Sequence, residues 1–446
     1  MSHARPVSRR RLLSLAAATV VSSGSLGAGT AAAGSSSAAE PVDALNRGAR
    51  PLSDLKALGR MVGDAHVVGL GEASHSAHEF FTLKHRVFRH LVATKGFTTF
   101  ALEASWSTGL RLDAYVTRGI GDPVQIMRDE FQGQYTLWNT KEYLDLILWM
   151  HRYNLTHPDR PQLRFVGNDL GYAGPDAFDH VTDDLATHRP DLAERISDLY
   201  AGLKPATGTQ AGPWMLAQLT KELPARRAEA DRADAALALL RNHGRPHTID
   251  RDTDRAHAWA LQNATAIAQS YTAYAFPDEQ FPERMRYRDR AMAANTAWWL
   301  QHKDGRILLA SNNSHVAYTS DNPDEFPEPT GAFLRTQLGP DYVNIGLTFN
   351  QGTVNALPDF TAQPQEYTVT PAPQGHNEHT LDKLCHRDFT IDLRTAPPAA
   401  RTWLAAARPT RSYGLYWSTD DPATALGHSY DILIHLHQVE AAHLLR

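Results

Sequence analysis

The chain has 446 residues, of which 42% are apolar, 21% charged and 9% aromatic, an ordinary globular composition rather than a disordered one. Its formal net charge is −5, and Arg5, Arg9, Arg10 and Arg11 in the first 39 residues have no acidic partner there; without those four charges the balance falls to −9. An acidic chain without a basic run excludes nucleic acid or an anionic membrane as partners held by its net field. The single cysteine, Cys385, excludes a disulfide framework within one chain and any CxxC metal site.

Residues 1–39 read as an address. Arg9, Arg10 and Arg11 precede an apolar run from Leu12 to Val21, and small residues follow through Ala33. This is the layout of a twin-arginine export signal with an A-x-A cleavage site. The apolar run is shorter than the ~20 residues of a membrane span. The expectation is a secreted or cell-envelope protein, without stable membrane insertion once residues 1–39 are removed.

The mature chain, 40–446, opens with near-continuous apolar runs at 65–71, 98–103 and 163–167, separated by helical patterns at 78–94, 107–118 and 141–153. Such runs suit parallel strands buried on both faces in βαβ units. From about 190 to 303 no strand pattern appears, and helical periodicity predicts an insert over those residues. Strand patterns return at 306–310, 342–348 and 430–436. The expected fold class is α/β: a mostly parallel sheet flanked by helices, with a large helical insert between its N-terminal and C-terminal strands.

Chemistry collects at strand ends. Glu72, Glu103, Asp169 and His315 each follow or end a predicted strand. Ligands of open parallel sheets bind beyond the carboxyl ends of the strands, so these four side chains should converge. The richest loop is Gly71–His75, where a carboxylate at Glu72 can fix the tautomer of an imidazole at His75. With 22 histidines in the chain, an accidental surface histidine is the competing reading of His75. Gly69-x-Gly71-x-x-Ser74 is a degenerate dinucleotide fingerprint, but Glu72 would point negative charge at a pyrophosphate. His75-x-x-His78-Glu79 lacks the HExxH order of a helix-borne zinc pair. The mature chain has neither a GxSxG elbow nor a phosphate-binding P-loop. Five tryptophans (Trp106, Trp138, Trp149, Trp298 and Trp299) have mostly core spacing, with about one expected on a pocket wall.

These residues also form an ordered series. Gly71-Glu72-Ala-Ser-His75, Glu79-Phe80-Phe81-x-x-Lys84, Gly96-Phe97 and Glu103 come first. Trp138-x-x-x-Glu142, Gly167-x-Asp169, Arg288-Asp289-x-x-Met292-x-x-Asn295, Asn313-x-His315 and Tyr430–Ile434 follow. Across the mature chain the series resembles the erythromycin esterase family, whose members open macrolide lactones without a serine nucleophile. The resemblance implies His75 as the base that activates water, with Glu72 and Glu103 orienting it. His315 matches the second histidine of the family's H-N-x-H stretch; with Lys84 it is expected to polarise the carbonyl, while Asn312, Asp169 and Arg288 are expected to bind substrate. Two positions depart from the pattern: Asn312 replaces the first histidine of an H-N-x-H stretch, and Lys84 stands where macrolide-opening members carry arginine. Lysine keeps the charge but loses the bidentate fork.

The expected substrate is therefore a small-molecule ester or lactone, and no cofactor is expected. Glu72, His75, Glu103 and His315 could alternatively share a divalent metal. Two further readings use the same cleft: a cyclase, lyase or isomerase acting on a polyketide-like substrate, and an exported protein that binds a small ligand without turnover.

Overall fold

The computed structural model describes residues 39–244, 250–303, 305–359 and 362–445. The expected export signal lies outside these residues except for Ala39, which begins a helix running to Gly48. No helix among the described residues is long and apolar enough to cross a membrane.

Among the described residues eleven strands form in chain order: β1 (Arg50–Pro51), β2 (Val67–Leu70), β3 (Phe97–Ser105), β4 (Arg164–Asp169), β5 (Arg306–Ala310), β6 (Tyr342–Ala356), β7 (Gln365–Val369), β8 (Phe389–Asp392), β9 (Arg408–Pro409), β10 (Ala423–Thr424) and β11 (Ile432–Val439). Nine of them build one sheet in the order β1-β8-β11-β6-β2-β5-β3-β4, with β7 paired to β6 alone; β9 and β10 form a separate ribbon. From β11 to β4 every neighbouring pair is parallel, whereas β1, β8 and β7 join antiparallel. The mostly parallel α/β sheet is thus present.

The central strands are buried along their whole length, which is why they lack alternation. β6 continues to Ala356, beyond the expected 348, because its polar second half pairs with β7. The helix His78–Lys95 covers the sheet with Phe80, Phe81, Lys84, Val87, Phe88 and Leu91. These positions recur at helical spacing, so Lys84 lies in the middle of an apolar stripe.

The helical run begins earlier than 190, with Pro175–His188, and includes Pro190–Tyr200, Ala211–Thr220, Leu223–His243 and Arg251–Ala275. Leu223–His243 packs along Arg251–Ala275, which lies in turn on Pro175–His188. The last helix, Phe281–His302, packs on β4 and returns the chain to β5. Its buried face carries Arg288, Asp289 and Asn295 as well as Met292 and Trp299, a polar stripe that a mere cap helix would not bury.

Candidate active site

Parallel order brings the carboxyl ends of β2, β5, β3 and β4 side by side at one edge of the sheet. Each end contributes an ionisable group, as the strand-end argument requires.

β2 ends at Leu70, and the chain turns through Gly71. A side chain at Gly71 would collide with the Asn313 carboxamide, since an added Cβ would lie 2.1 Å from its Oδ1. Asn313 fastens this turn: its backbone N–H donates to the Glu72 carbonyl at 2.9 Å, while its side chain bonds both backbone groups of Leu347 on β6. Glu72 is completely buried. Its Oε1 lies 2.9 Å from His75 Nδ1, and its Oε2 accepts from the Lys84 ammonium. Lys84 also donates to the Ser311 carbonyl at 3.4 Å. Burial pulls the Lys84 pKa down, against the opposing pull of Glu72 and Glu103. The Trp138 ring packs against His75 with centroids 4.8 Å apart, and this is the tryptophan that reaches the site. Trp106, Trp298 and Trp299 instead cluster with Trp259, while Trp149 stacks among Phe88, His85 and Tyr153.

β3 runs past β5 at Leu102, and its register against β4 shifts between Leu102 and Ser105. Such an irregularity re-aims side chains, and Glu103 sits inside it. One Glu103 oxygen accepts from the Ser311 hydroxyl at 2.6 Å and the Asn312 N–H at 3.0 Å. The other accepts from Arg288 at 2.9 Å and lies 3.2 Å from His315 Nε2. Burial raises the Glu103 pKa, but His315, Arg288 and His75 outweigh it and hold the carboxyl well below its ordinary value.

His315 is likewise gripped at both nitrogens. Its Nδ1 lies 2.6 Å from Asp289, whose Oδ1 also accepts from the Thr330 N–H and hydroxyl. Burial opposes charge on this ring, yet Asp289 and Glu103 overcome it and raise its pKa to about 10. The Arg288 guanidinium, 3.1 Å from His315 Nε2, opposes that rise. A histidine whose pKa is higher folded than unfolded adds stability below its unfolded value. That contribution fades as pH climbs from about 6.5 through about 10. The wild type should accordingly lose its stability advantage over His315→Gln across that window in denaturant titrations; parallel pH dependence of the two proteins would contradict the assignment.

Asp169, at the end of β4, is held by two Arg288 nitrogens at 2.6–3.1 Å, the Tyr135 hydroxyl at 2.9 Å and the Leu170 N–H.

The structure thus brings all eight expected residues to one place, but it distributes their contacts differently. Glu103 bonds Arg288 and His315 rather than His75. Lys84, fully buried, bonds Glu72 and a backbone carbonyl, so its charge is committed to Glu72 rather than offered to a substrate carbonyl. Arg288 and Asp169 satisfy each other, which turns two expected substrate ligands into an internal ion pair. Asn312 differs from these. Its Oδ1 caps the short helix Asn313–Val316, while its buried Nδ2 has no hydrogen-bond partner among the described residues.

Asp289, Ser311 and Thr330 were not expected in the site. The polar pair Arg288-Asp289 on an otherwise buried helix face is the signal that could have marked Asp289. Tyr143, on the helix Lys141–Thr156, is also fully buried; burial and the charges of Glu72 and Glu103 raise its pKa well above the ordinary value. It therefore stands as a neutral hydroxyl beside two carboxylates.

A model of the erythromycin esterase family matches residues 92–439, a span that includes Glu103, Asp169, Arg288 and His315 and begins after Glu72, His75 and Lys84. The Escherichia coli protein described as erythromycin esterase type II is 25% identical over 317 residues, which cover 68% of this chain and 74% of that protein. A Bacillus cereus protein of solved structure is 28% identical with a TM-score of 0.81, covering 92% of this chain and 100% of its own. A succinoglycan biosynthesis protein is 27% identical with a TM-score of 0.79, over 93% of this chain and 100% of its own. An erythromycin esterase variant in an open conformation shares the fold at 18% identity and a TM-score of 0.66, over 89% of this chain and 96% of its own. The chain belongs to the erythromycin esterase family.

Proposed function

We propose that this protein hydrolyses a small-molecule ester or lactone, macrolactones included, by attack of a water that His75 deprotonates. The observation that carries the reading is the Glu72–His75 contact at 2.9 Å. An Nδ1–H donated to Glu72 leaves the lone pair on Nε2, the form a general base needs. Lys84 balances the Glu72 charge, so the carboxylate orients the ring without taking its proton.

No metal is needed in this scheme: the Glu72 and Glu103 oxygens are already engaged by ammonium, guanidinium, imidazole and hydroxyl donors.

Asn312 Nδ2 supplies the free donor that the developing oxyanion requires. Loss of one such donor costs ~10²–10³ in rate. Asn312→Ala should therefore lower kcat by about that factor with little change in KM, measured on any substrate the wild type turns over. An unchanged kcat would remove Asn312 from the reaction.

The substrate class is tested by incubating the chain with macrolides, simple lactones and acyl esters and weighing the products. Hydrolysis adds one water. A new product of unchanged mass that separates from the substrate signals cyclisation or isomerisation, and loss of a leaving group signals elimination; either result would replace the hydrolytic reading. That a relative is described as a biosynthesis protein makes product mass the discriminating measurement. Residues 1–39 add the proposal that hydrolysis takes place outside the cytoplasm, after twin-arginine export.

A further inference from the structure

A second histidine–carboxylate cluster lies between the His75 loop and the C-terminal tail, apart from the residues used above. Glu142 lies in the first turn of the helix Lys141–Thr156, and its side chain is 3% exposed. His78, the first residue of its helix, brings Nδ1 to 2.7 Å from Glu142 Oε1. His443, in the tail, brings its own Nδ1 to 2.7 Å from the same oxygen. All three ligand atoms lie within 4.8 Å of one another.

The surrounding backbone joins the same three segments. The His78 N–H donates to the Glu440 carbonyl, Ala77 pairs with Ala441, and the Lys141 N–H donates to the His443 carbonyl. The tail is thereby stitched to the loop that carries His75 and to the helix that carries Glu142.

We propose that His78, Glu142 and His443 form a binding site for a divalent transition metal of the zinc class, which locks the C-terminal tail onto the catalytic loop. Two imidazoles and one carboxylate are a donor set that zinc accepts, with water completing the tetrahedron. Metal–ligand bonds of ~2.0–2.2 Å put tetrahedral donors about 3.3–3.5 Å apart. The two nitrogen–oxygen contacts therefore open by less than an ångström, within reach of rotamer adjustments at His78 and His443. Their side chains are 35% and 65% exposed, so the face opposite Glu142 gives an ion and its water a way in. The His443 N–H supports both carboxylate oxygens at 3.2 and 3.3 Å, an outer contact that fixes their orientation.

This metal acts on tail docking, and the reaction at His75 does not pass through it. A chelator that slows the enzyme would do so by loosening the loop.

The test is calorimetric titration of the untagged full chain with zinc(II) after chelator treatment, alongside His443→Ala and His75→Ala. The wild type and His75→Ala should each bind one equivalent, with a rise in Tm of a few degrees. His443→Ala, an exposed position at little risk of misfolding, should bind at least tenfold more weakly and lose that rise. Tetrahedral cobalt(II) absorption should follow the same pattern. Absence of saturable zinc binding in the wild type would overturn the proposal, as would undiminished binding in His443→Ala. Binding lost in His75→Ala but kept in His443→Ala would place the ion at the catalytic cluster instead. Each readout is binding or melting, so failure here leaves the hydrolytic proposal standing.

Discussion

His75→Ala should lower kcat by ~10²–10⁴ while the protein still melts cooperatively with an unchanged far-ultraviolet circular dichroism spectrum. The two halves of that expectation have separate causes. Glu72 keeps its Lys84 partner when the imidazole is removed, so no buried charge is stranded. The neighbouring Trp138 loses one ring contact, which is a packing change rather than an unpaired charge. What disappears is the nitrogen that takes the proton from water. Added imidazole should restore part of the rate if the cavity admits it. Normal turnover in His75→Ala would assign the proton transfer to another group.

Arg288→Met should be the most damaging single change to stability. The guanidinium binds Asp169 through two nitrogens and Glu103 through a third contact, all buried. Methionine fills much of the volume but leaves two carboxylates facing each other. Breaking a buried pair from one side costs about 3–5 kcal/mol, because the surviving charge has lost its compensation. The loss should appear as a lower denaturant midpoint, and activity should fall with it as Glu103 and His315 rearrange. Adding Asp169→Asn should return part of the stability, since one stranded charge is then removed. A midpoint shift worth under about 0.5 kcal/mol would mean that solvent or rearrangement compensates these carboxylates.

The parts of this protein that were legible in its sequence are those governed by local pattern. Strands buried on both faces must be apolar at every position, so β2, β3 and β5 announce themselves in isolation. Parallel topology then makes the residues that follow them neighbours, which brought Glu72, Glu103, Asp169 and His315 together before any contact was known. β1 and β8 are short and depend on partner strands far along the chain, and β7 is a short polar return onto β6, so local pattern defines none of them.

Pairings within the site were beyond the same reasoning. Several cations and several carboxylates meet at one strand edge, and sequence order does not say which takes which. Lys84 shows the difficulty. Its place between Phe80, Phe81, Val87 and Phe88 on a buried stripe meant that it needed a carboxylate, and Glu72 took that role. The expectation that Arg288 meets substrate follows from its place in the ordered series; its spacing says only that it is buried. Asp289 stands beside it, and two adjacent charges on a buried helix face require two separate partners. The irregularity in β3 that aims Glu103 toward Ser311 has no marker in the residues themselves.

The most direct test of the central claim is a single-turnover reaction in ¹⁸O-labelled water, with enzyme in excess over an ester or lactone substrate. Attack by a water that His75 activates puts label into the product carboxylate in the first turnover and none into the protein. Label recovered in a peptide carrying Glu72 or Glu103, or an unlabelled product, would mean that a carboxylate attacks first and that His75 is not the base for the bond-breaking step.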